Sequence, residues 1–390
     1  MNPKMFRVVA LSGAVIAAFA QQSQAGIEIY NKDDTTIALD ASFNAFFSTT
    51  STETEVFGVD TASRDQSRIR SGFLPNWFGT TFSKKMGDVT FGGRASFWVS
   101  TNDSDEAPTD GLIDTRQFYG TVDAPWGQVL FGKDFTLFNR SNVFGDEILL
   151  GYGMTNDTLG LIDGAYVPFG NIGSGYIYPL PTNQITYRSP DMGGFKLAIG
   201  LVDPSRTSEG ANAEESAPRI EGELTYNLAF SDTSNINAWV GFLQQTSESD
   251  TNEVDSNGIS YGAKVKVGGL TLHASGYDGE GLGLLTGPSD ALGLGLGGLI
   301  TENGGEVDST GYLGQGSYNF GKTRVVLSYG MSEIDNTDKW ENETTTVAAF
   351  YSFNSNFTGV VEYTMNEITI QSSGLKEEVD SLAVGVVLNF

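Results

Sequence analysis

Cysteine is absent from this 390-residue chain, so neither a disulfide framework nor a thiolate metal site is open to it. Histidine occurs once, at His273, which argues against a histidine-rich metal centre or a histidine-dependent triad. Basic residues are scarce, 22 against 48 acidic ones, for a formal charge of −26. A surface of that sign argues against nucleic acid as a partner, because affinity there comes from neutralising phosphates with Lys and Arg. After residue 25 no run of ~20 apolar residues occurs, so no helix of that stretch is long and apolar enough to span a bilayer. No cofactor, no metal and no enzymatic activity are expected.

Acidity with few aromatics would suggest disorder, yet the chain holds 25 Phe, 15 Tyr and 5 Trp. Its first residues have their own grammar. Lys4 and Arg7 form a short basic region, Val8 to Ala20 is apolar and small, and Ser23-Gln24-Ala25 offers a cleavage site. That is the pattern of a secretory signal, which divides the chain into a signal peptide, 1–25, and one mature domain, 26–390. A secreted chain rich in Gly, aromatics and acid suggests a barrel of the outer membrane.

Alternation of period two is the main local signal. In Val89 to Ser100 the residues Val89, Phe91, Ala95, Phe97 and Val99 share one face, opposed by Thr90, Arg94, Ser96 and Trp98. In Thr36 to Ser48, Ile37, Leu39, Ala41, Phe43, Ala45 and Phe47 oppose Asp40, Ser42 and Asn44. A soluble sandwich alternates in the same way, so the connections decide. Short links at 83–88, 124–128, 190–194, 229–235, 268–269, 321–322 and 353–356 alternate with long polar ones. The long ones fall near 49–63, 101–112, 136–182, 203–218, 246–257, 279–308, 333–342 and 370–377. Seven short and eight long connections predict sixteen strands. Short periplasmic turns, long external loops and an even count are the transmembrane antiparallel β-barrel pattern. Acid gathers in the long connections, as in Glu53, Asp105, Asp250 and Asp338, whereas Trp126, Phe195, Phe230 and Phe353 lie beside the short ones, as an interfacial girdle would.

The two ends of the mature chain resemble the general bacterial porins. Glu28-Ile29-Tyr30-Asn31-Lys32-Asp33 is similar to the opening of enterobacterial porins, and Gly385-Val386-Val387-Leu388-Asn389-Phe390 resembles their C-terminal signal. Thr115 to Gly120, Thr186 to Ser189 and Ser189 to Phe195 resemble internal segments of the same family. The resemblance implies a 16-stranded homotrimer in a Gram-negative outer membrane, whose third loop folds inward to make a constriction. It implies contact with lipid and lipopolysaccharide, and recognition of Phe390 by the barrel-assembly machinery. Its expected function is passive diffusion of small polar solutes and ions. The rival readings are a substrate-specific porin with lumen aromatics as a track for sugars, and a structural or adhesive barrel.

The residues carry part of the constriction argument themselves. The connection 136–182 is far longer than its neighbours and rich in Gly, Tyr and Phe, with Pro168, Pro179 and Pro181. Loops of that length are functional or disordered, and an ordered loop packed in a lumen needs those aromatics. Its acids Asp146, Glu147, Asp157 and Asp163 are candidates for the acidic edge, Asp146 and Glu147 first. Leu149-Leu150-Gly151-Tyr152-Gly153 stands where the family has a second carboxylate. Opposite such a loop the family places arginines. Arg94, Arg116 and Arg188 fall on the polar parity of their strands, and Arg68 and Arg70 share one parity. A charge facing lipid would cost ~2–4 kcal/mol at mid-membrane, so these point inward.

Three features stay outside that scheme. Gly281 to Gly298 lacks the strand-to-helix setting of a phosphate loop and reads as an apolar external loop. Asp103-Ser104-Asp105-Glu106 is either solvated acid or a weak oxygen site for a divalent ion. His273, alternating with Thr271 and Ser275, is expected to face the lumen. Cleavage is testable directly: N-terminal sequencing of the exported protein should begin at Gly26, and a mature chain retaining Met1 to Ala25 would contradict the signal assignment.

Overall fold

The computed structural model describes residues 26–102, 112–153, 170–205, 214–250, 252–282 and 300–390. The expected signal 1–25, the acids Asp103, Asp105, Glu106, Asp110, Asp157 and Asp163, and most of the stretch 281–298 lie outside the described residues.

The alternation sorts into an inverted surface. In one strand Phe43 and Phe47 are 54% and 52% exposed, while Ser42 and Ser48 are 1% and 2% exposed. The same inversion runs through Ile185 and Tyr187 against Gln184 and Thr186, and through Leu382 and Val384 against Ser381 and Ala383. In water each exposed Phe or Leu would forgo ~1.5–3 kcal/mol of burial. Facing hydrocarbon, the same side chains lose nothing. Polar-inside and apolar-outside is the arrangement of a membrane barrel with a polar lumen.

The wall begins with β1 (Ile27–Lys32), β2 (Thr35–Val56), β3 (Val59–Arg70), β4 (Asn76–Met86), β5 (Val89–Ser100), β6 (Leu112–Ala124) and β7 (Gly127–Phe135). A short helix, α1 (Arg140–Gly145), precedes β8 (Pro181–Arg188), β9 (Phe195–Val202), β10 (Arg219–Ser231), β11 (Ser234–Glu248), β12 (Glu253–Val267) and β13 (Leu270–Glu280). A small hairpin of β14 (Thr301–Glu302) and β15 (Gly305–Glu306) stands apart. The wall then continues as β16 (Asp308–Phe320), β17 (Thr323–Asp335), β18 (Trp340–Ser352), β19 (Phe357–Ile370) and β20 (Leu375–Asn389).

These 18 wall strands make 16 staves. β2 pairs with β3 from Phe46 to Val56 and with β4 from Thr35 to Ser42, so β3 and β4 are one stave broken at 71–75. On its other edge β2 pairs with β20 from Ser42 to Val56 and with β1 from Thr35 to Leu39. The last stave is therefore made from both ends of the domain. All neighbours are antiparallel, and the β2–β20 pairing closes the ring, which satisfies backbone groups that lipid cannot.

Four of the connections expected to be long are tight turns on lengthened strands. The expected loop 49–63 is a hairpin turning at Phe57-Gly58, both at positive φ (51° and 73°). Residues 336–339 and 371–374 similarly connect strands that run on to Asp335 and Ile370, and β11 and β12 extend to Glu248 and from Glu253, where Ser249 donates its N–H to the Asn252 carbonyl. Above the membrane both faces of a strand are wet, so alternation disappears while pairing does not. Polarity there resembles a loop in sequence.

The seam at the chain end generates a test. Phe390 donates its N–H to the Ala41 carbonyl at 2.9 Å and accepts from the Ala41 N–H at 3.3 Å. Its ring meets Phe43 edge-on at 6.4 Å between centroids. Deleting Phe390 should sharply lower the fraction of folded, heat-modifiable barrel on electrophoresis. A normal folded fraction would contradict this reading of the seam.

Candidate functional site

From β7 the chain turns into the barrel and crosses it. Leu137 and Phe138 donate their N–H groups to one oxygen of Glu221 on β10, at 2.6 and 2.8 Å, and Glu221 is paired with Arg219 at 2.8 Å. Helix α1 then carries the chain to Gly145, whose carbonyl accepts from Lys264 at 3.0 Å. A side chain at Gly145 would meet the His273 ring, with a Cβ only 2.8 Å from Nε2. His273 donates from Nδ1 to Gln315 at 3.0 Å and is 3% exposed, so it faces inward and is packed under the loop.

Beyond Gly145 the loop is pinned to the far wall. Glu147 is ion-paired with Lys264 of β12 and with Arg324 of β17, the latter at 3.1 Å, and accepts from Ser317 of β16 at 2.6 Å. Burial alone would raise its pKa, but the two cations outweigh burial and hold the carboxyl below its ordinary range. Asp146 accepts from Gln315 at 2.6 Å, Tyr176 at 2.7 Å and Asn171 at 2.9 Å. Asp146 thereby joins the two limbs of the loop, and Gln315 ties it to β16. Further on, Glu362 of β19 accepts from the N–H of Tyr152 at 3.1 Å and of Gly153 at 2.5 Å. The Tyr152 hydroxyl bonds Ser48 of β2 at 2.8 Å. On the return limb, Gly175 donates to Ser332 at 2.9 Å, and Asn342 donates to the Gly173 carbonyl at 2.8 Å. Gly330 leaves room for this limb, since a Cβ there would overlap the Ser174 carbonyl.

Asp146 and Glu147 are 5% and 8% exposed, against the wall of β12, β16 and β17. That differs from the expected acidic edge facing the arginines across water. The physical reason is the presence of Lys264, Arg324 and Gln315, partners that adjacency in sequence cannot show. Asp157 and Asp163 lie outside the described residues.

Arg94, Arg116 and Arg188 face the lumen on the opposite side, each before a carboxylate. Arg94 holds Asp40 of β2 through two bonds of 2.7 and 2.8 Å and bonds Gln117 at 2.9 Å. Arg116 bonds Asp114 at 3.0 Å and the Tyr178 hydroxyl of the returning loop at 2.9 Å. Arg188 and Arg140 approach Asp134 at 3.9 and 3.7 Å. Arg68 and Arg70 share the inward parity of β3, whose intervening Ile69 is 77% exposed outside. Below them the break 71–75 bulges inward, and Phe73 donates to the Gly151 carbonyl at 3.0 Å. Sequence parity brought out the arginines. It put Asp40 on the polar face without its role as partner of Arg94, and it missed Asp114, Asp134, Glu221, Lys264, Arg324 and Glu362, whose only signal is a charge on the inward face.

Residues 10–370 match the family described as Gram-negative porin. No curated protein sequence matches the chain. Among solved structures, the outer membrane channel DcaP of Acinetobacter baumannii is similar with a TM-score of 0.68 at 16% identity, covering 94% of this chain and 100% of that one. The anion-selective porin from Comamonas acidovorans gives 0.63 at 15% identity, covering 91% and 100%. The trimer form of OmpT, an outer membrane protein of Vibrio cholerae, gives 0.52 at 15% identity, covering 90% and 100%. At these identities the likeness is one of fold.

The Glu147 anchor can be tested by substitution. Glu147→Gln would leave Lys264 and Arg324 opposite a neutral group, and breaking one side of a buried pair costs ~3–5 kcal/mol. A carboxyl held below its ordinary pKa contributes its stabilisation above the unfolded value and loses it as pH falls through the folded one. Wild-type current should therefore stay quiet from neutrality down through the ordinary carboxylate range. The variant should flicker at every pH. Equal noise in both proteins at pH 7 would contradict the anchor.

Proposed function

The chain belongs to the Gram-negative porins, and from that premise we propose that solutes cross between the pinned loop and the wall bearing Arg94, Arg116 and Arg188. The protein is an outer-membrane channel for passive diffusion of small hydrophilic solutes and ions. The observation that carries the route is the direction of the anchors. Glu147, Asp146 and Gln315 draw the loop toward β12, β16 and β17, which leaves the passage on the arginine side.

In this reading the basic wall of the constriction is Arg94, Arg116 and Arg188, with Arg68 and Arg70 above it. Asp146 and Glu147 position the loop, and Asp157 and Asp163 remain assigned to its acidic edge. Each of Arg94, Arg116 and Arg188 faces a carboxylate on its own side of the lumen, so the wall offers a local field of paired charges more than a net charge. Such a field orients dipolar solutes and disfavours apolar ones. The reading asks for a filter and no covalent step, with His273 committed to packing. We extend it to a mature domain of 26–390 behind a signal peptide, to homotrimers embedded in lipid and lipopolysaccharide, and to assembly through Phe390 by the barrel-assembly machinery.

Selectivity provides the test. Neutralising Arg116 and Arg188 together leaves Asp114 uncompensated beside the passage and Asp134 with Arg140 as its remaining cation, which should shift the zero-current potential in a tenfold KCl gradient toward cations. Neutralising Glu53 and Asp250 on the outer hairpins should move it far less, because salt screens exposed charges beyond ~8–10 Å. If the outer pair moves the potential as far as the arginine pair, the constriction lies elsewhere.

A further inference from the structure

The arginine side of the lumen is also its aromatic side. Trp77 stacks on Trp98 at 5.5 Å and 25°, and Trp98 meets Phe135 edge-on at 6.1 Å. Phe135 in turn meets Phe144 of α1 at 5.3 Å and Tyr178 of the return limb at 6.0 Å, both edge-on. Trp98 and Phe135 are buried at 3% and 1% exposure, whereas Trp77, Phe144 and Tyr178 are only partly covered. The Arg116 guanidinium lies 4.8 Å over the Trp98 ring and the Arg140 guanidinium 4.7 Å over Phe144. Rings of the wall and rings of the loop therefore form one surface, capped at two points by cations.

The polar groups flanking that surface come in pairs. Asp40 and Arg94 are 20% and 15% exposed, and Asp114 and Arg116 are 40% and 20% exposed. Trp77 is joined to the first pair by its indole N–H, which donates to Asp40 at 3.0 Å. Each pair sets a hydrogen-bond acceptor beside a donor with the charge compensated. An anion gains from the guanidinium about what it loses to the carboxylate, and a cation fares the same in reverse. A hydroxyl is different, since it both donates and accepts. Neighbouring hydroxyls can engage carboxylate and guanidinium together, while a ring with C–H groups on one face can lie on an aromatic edge.

We propose that this strip binds and guides neutral polyhydroxylated ring solutes, of which a pyranose sugar is the type. The inference rests on the porin reading and names the solute class of the same passage. The strip adds a weak, saturable binding step to diffusion through the lumen. Trp77 and Tyr178 are its specificity-determining residues: Trp77 presents the wall's half-covered ring, and Tyr178 presents the loop's ring, held by Arg116.

The test uses the full-length, outer-membrane-assembled protein in planar bilayers in KCl, with maltose, benzoate and a polyethylene glycol of maltose's hydrodynamic size as probes. Maltose should reduce the current saturably, and Trp77→Ala and Tyr178→Ala should each raise its half-saturating concentration at least tenfold. Tyr178→Phe keeps the ring, so its shift should be smaller than that of Tyr178→Ala. Trp126→Ala, on the outer face, should leave the half-saturation unchanged. Maltose and polyethylene glycol reducing the current alike would overturn the proposal, as would half-saturation indifferent to Trp77→Ala. Saturable block by benzoate and none by maltose would overturn it in favour of an anion site. Absence of any KCl conductance steps in the unsubstituted protein would instead defeat the porin reading itself.

Discussion

A backbone amide that faces hydrocarbon has no water to bond, so it must bond another strand, and the remaining features of this protein follow from that demand. It is why the sheet closes, and why closure reaches into the chain ends. β20 stops at Asn389 opposite Ser42, leaving the edge of β2 below it to be covered by β1. It also limits where irregular backbone is allowed. The break between β3 and β4, at 71–75, turns inward, where Asn44 receives the Gly72 N–H at 2.6 Å and donates to the Leu74 carbonyl at 2.9 Å. Outside the wall those groups would be stranded in lipid.

The inward loop meets the same demand with carboxylates. Its first limb hangs at the start by two N–H groups from Glu221 and at the far end by two from Glu362, and those acids stand on β10 and β19. Charge-assisted bonds of this kind are stronger than neutral ones, and Glu147 adds cations from β12 and β17. Apolar contacts complete the seat. Ile148 and Tyr152 pack against Phe46, Val326 and Phe350, while Phe138 and Ile177 pack against Leu243 and Tyr277. The described limbs of the loop, fastened at so many points of the ring, pack as part of the wall.

Much of this was legible in the sequence, for reasons of periodicity. The inward placement of Arg94, Arg116 and Arg188 follows from strand parity, because a one-residue slip would carry apolar side chains into the lumen as well. The stave count followed from alternating connections, even where four of the long ones proved to be tight turns. What could not be read is partnership across the barrel. Glu147 precedes Lys264 by more than a hundred residues, and nothing in either segment reports that the loop reaches β12. Asp146 and Glu147 therefore read as an acidic edge, when their bonds turn them to the wall. The break between Arg70 and Asn76 left its mark only as lost alternation.

The loop divides the lumen into an open side lined by Asp114 and a closed side holding Ser317. The chain has no cysteine of its own, so single cysteines at these positions can be reacted with a charged, water-soluble methanethiosulfonate while current is recorded. Asp114 is 40% exposed in its side chain and Ser317 is 3% exposed beneath Glu147. Asp114→Cys should be modified rapidly with a step change in conductance, and Ser317→Cys should react at least tenfold more slowly. Equal rates at the two positions, or faster reaction at Ser317→Cys, would contradict this division.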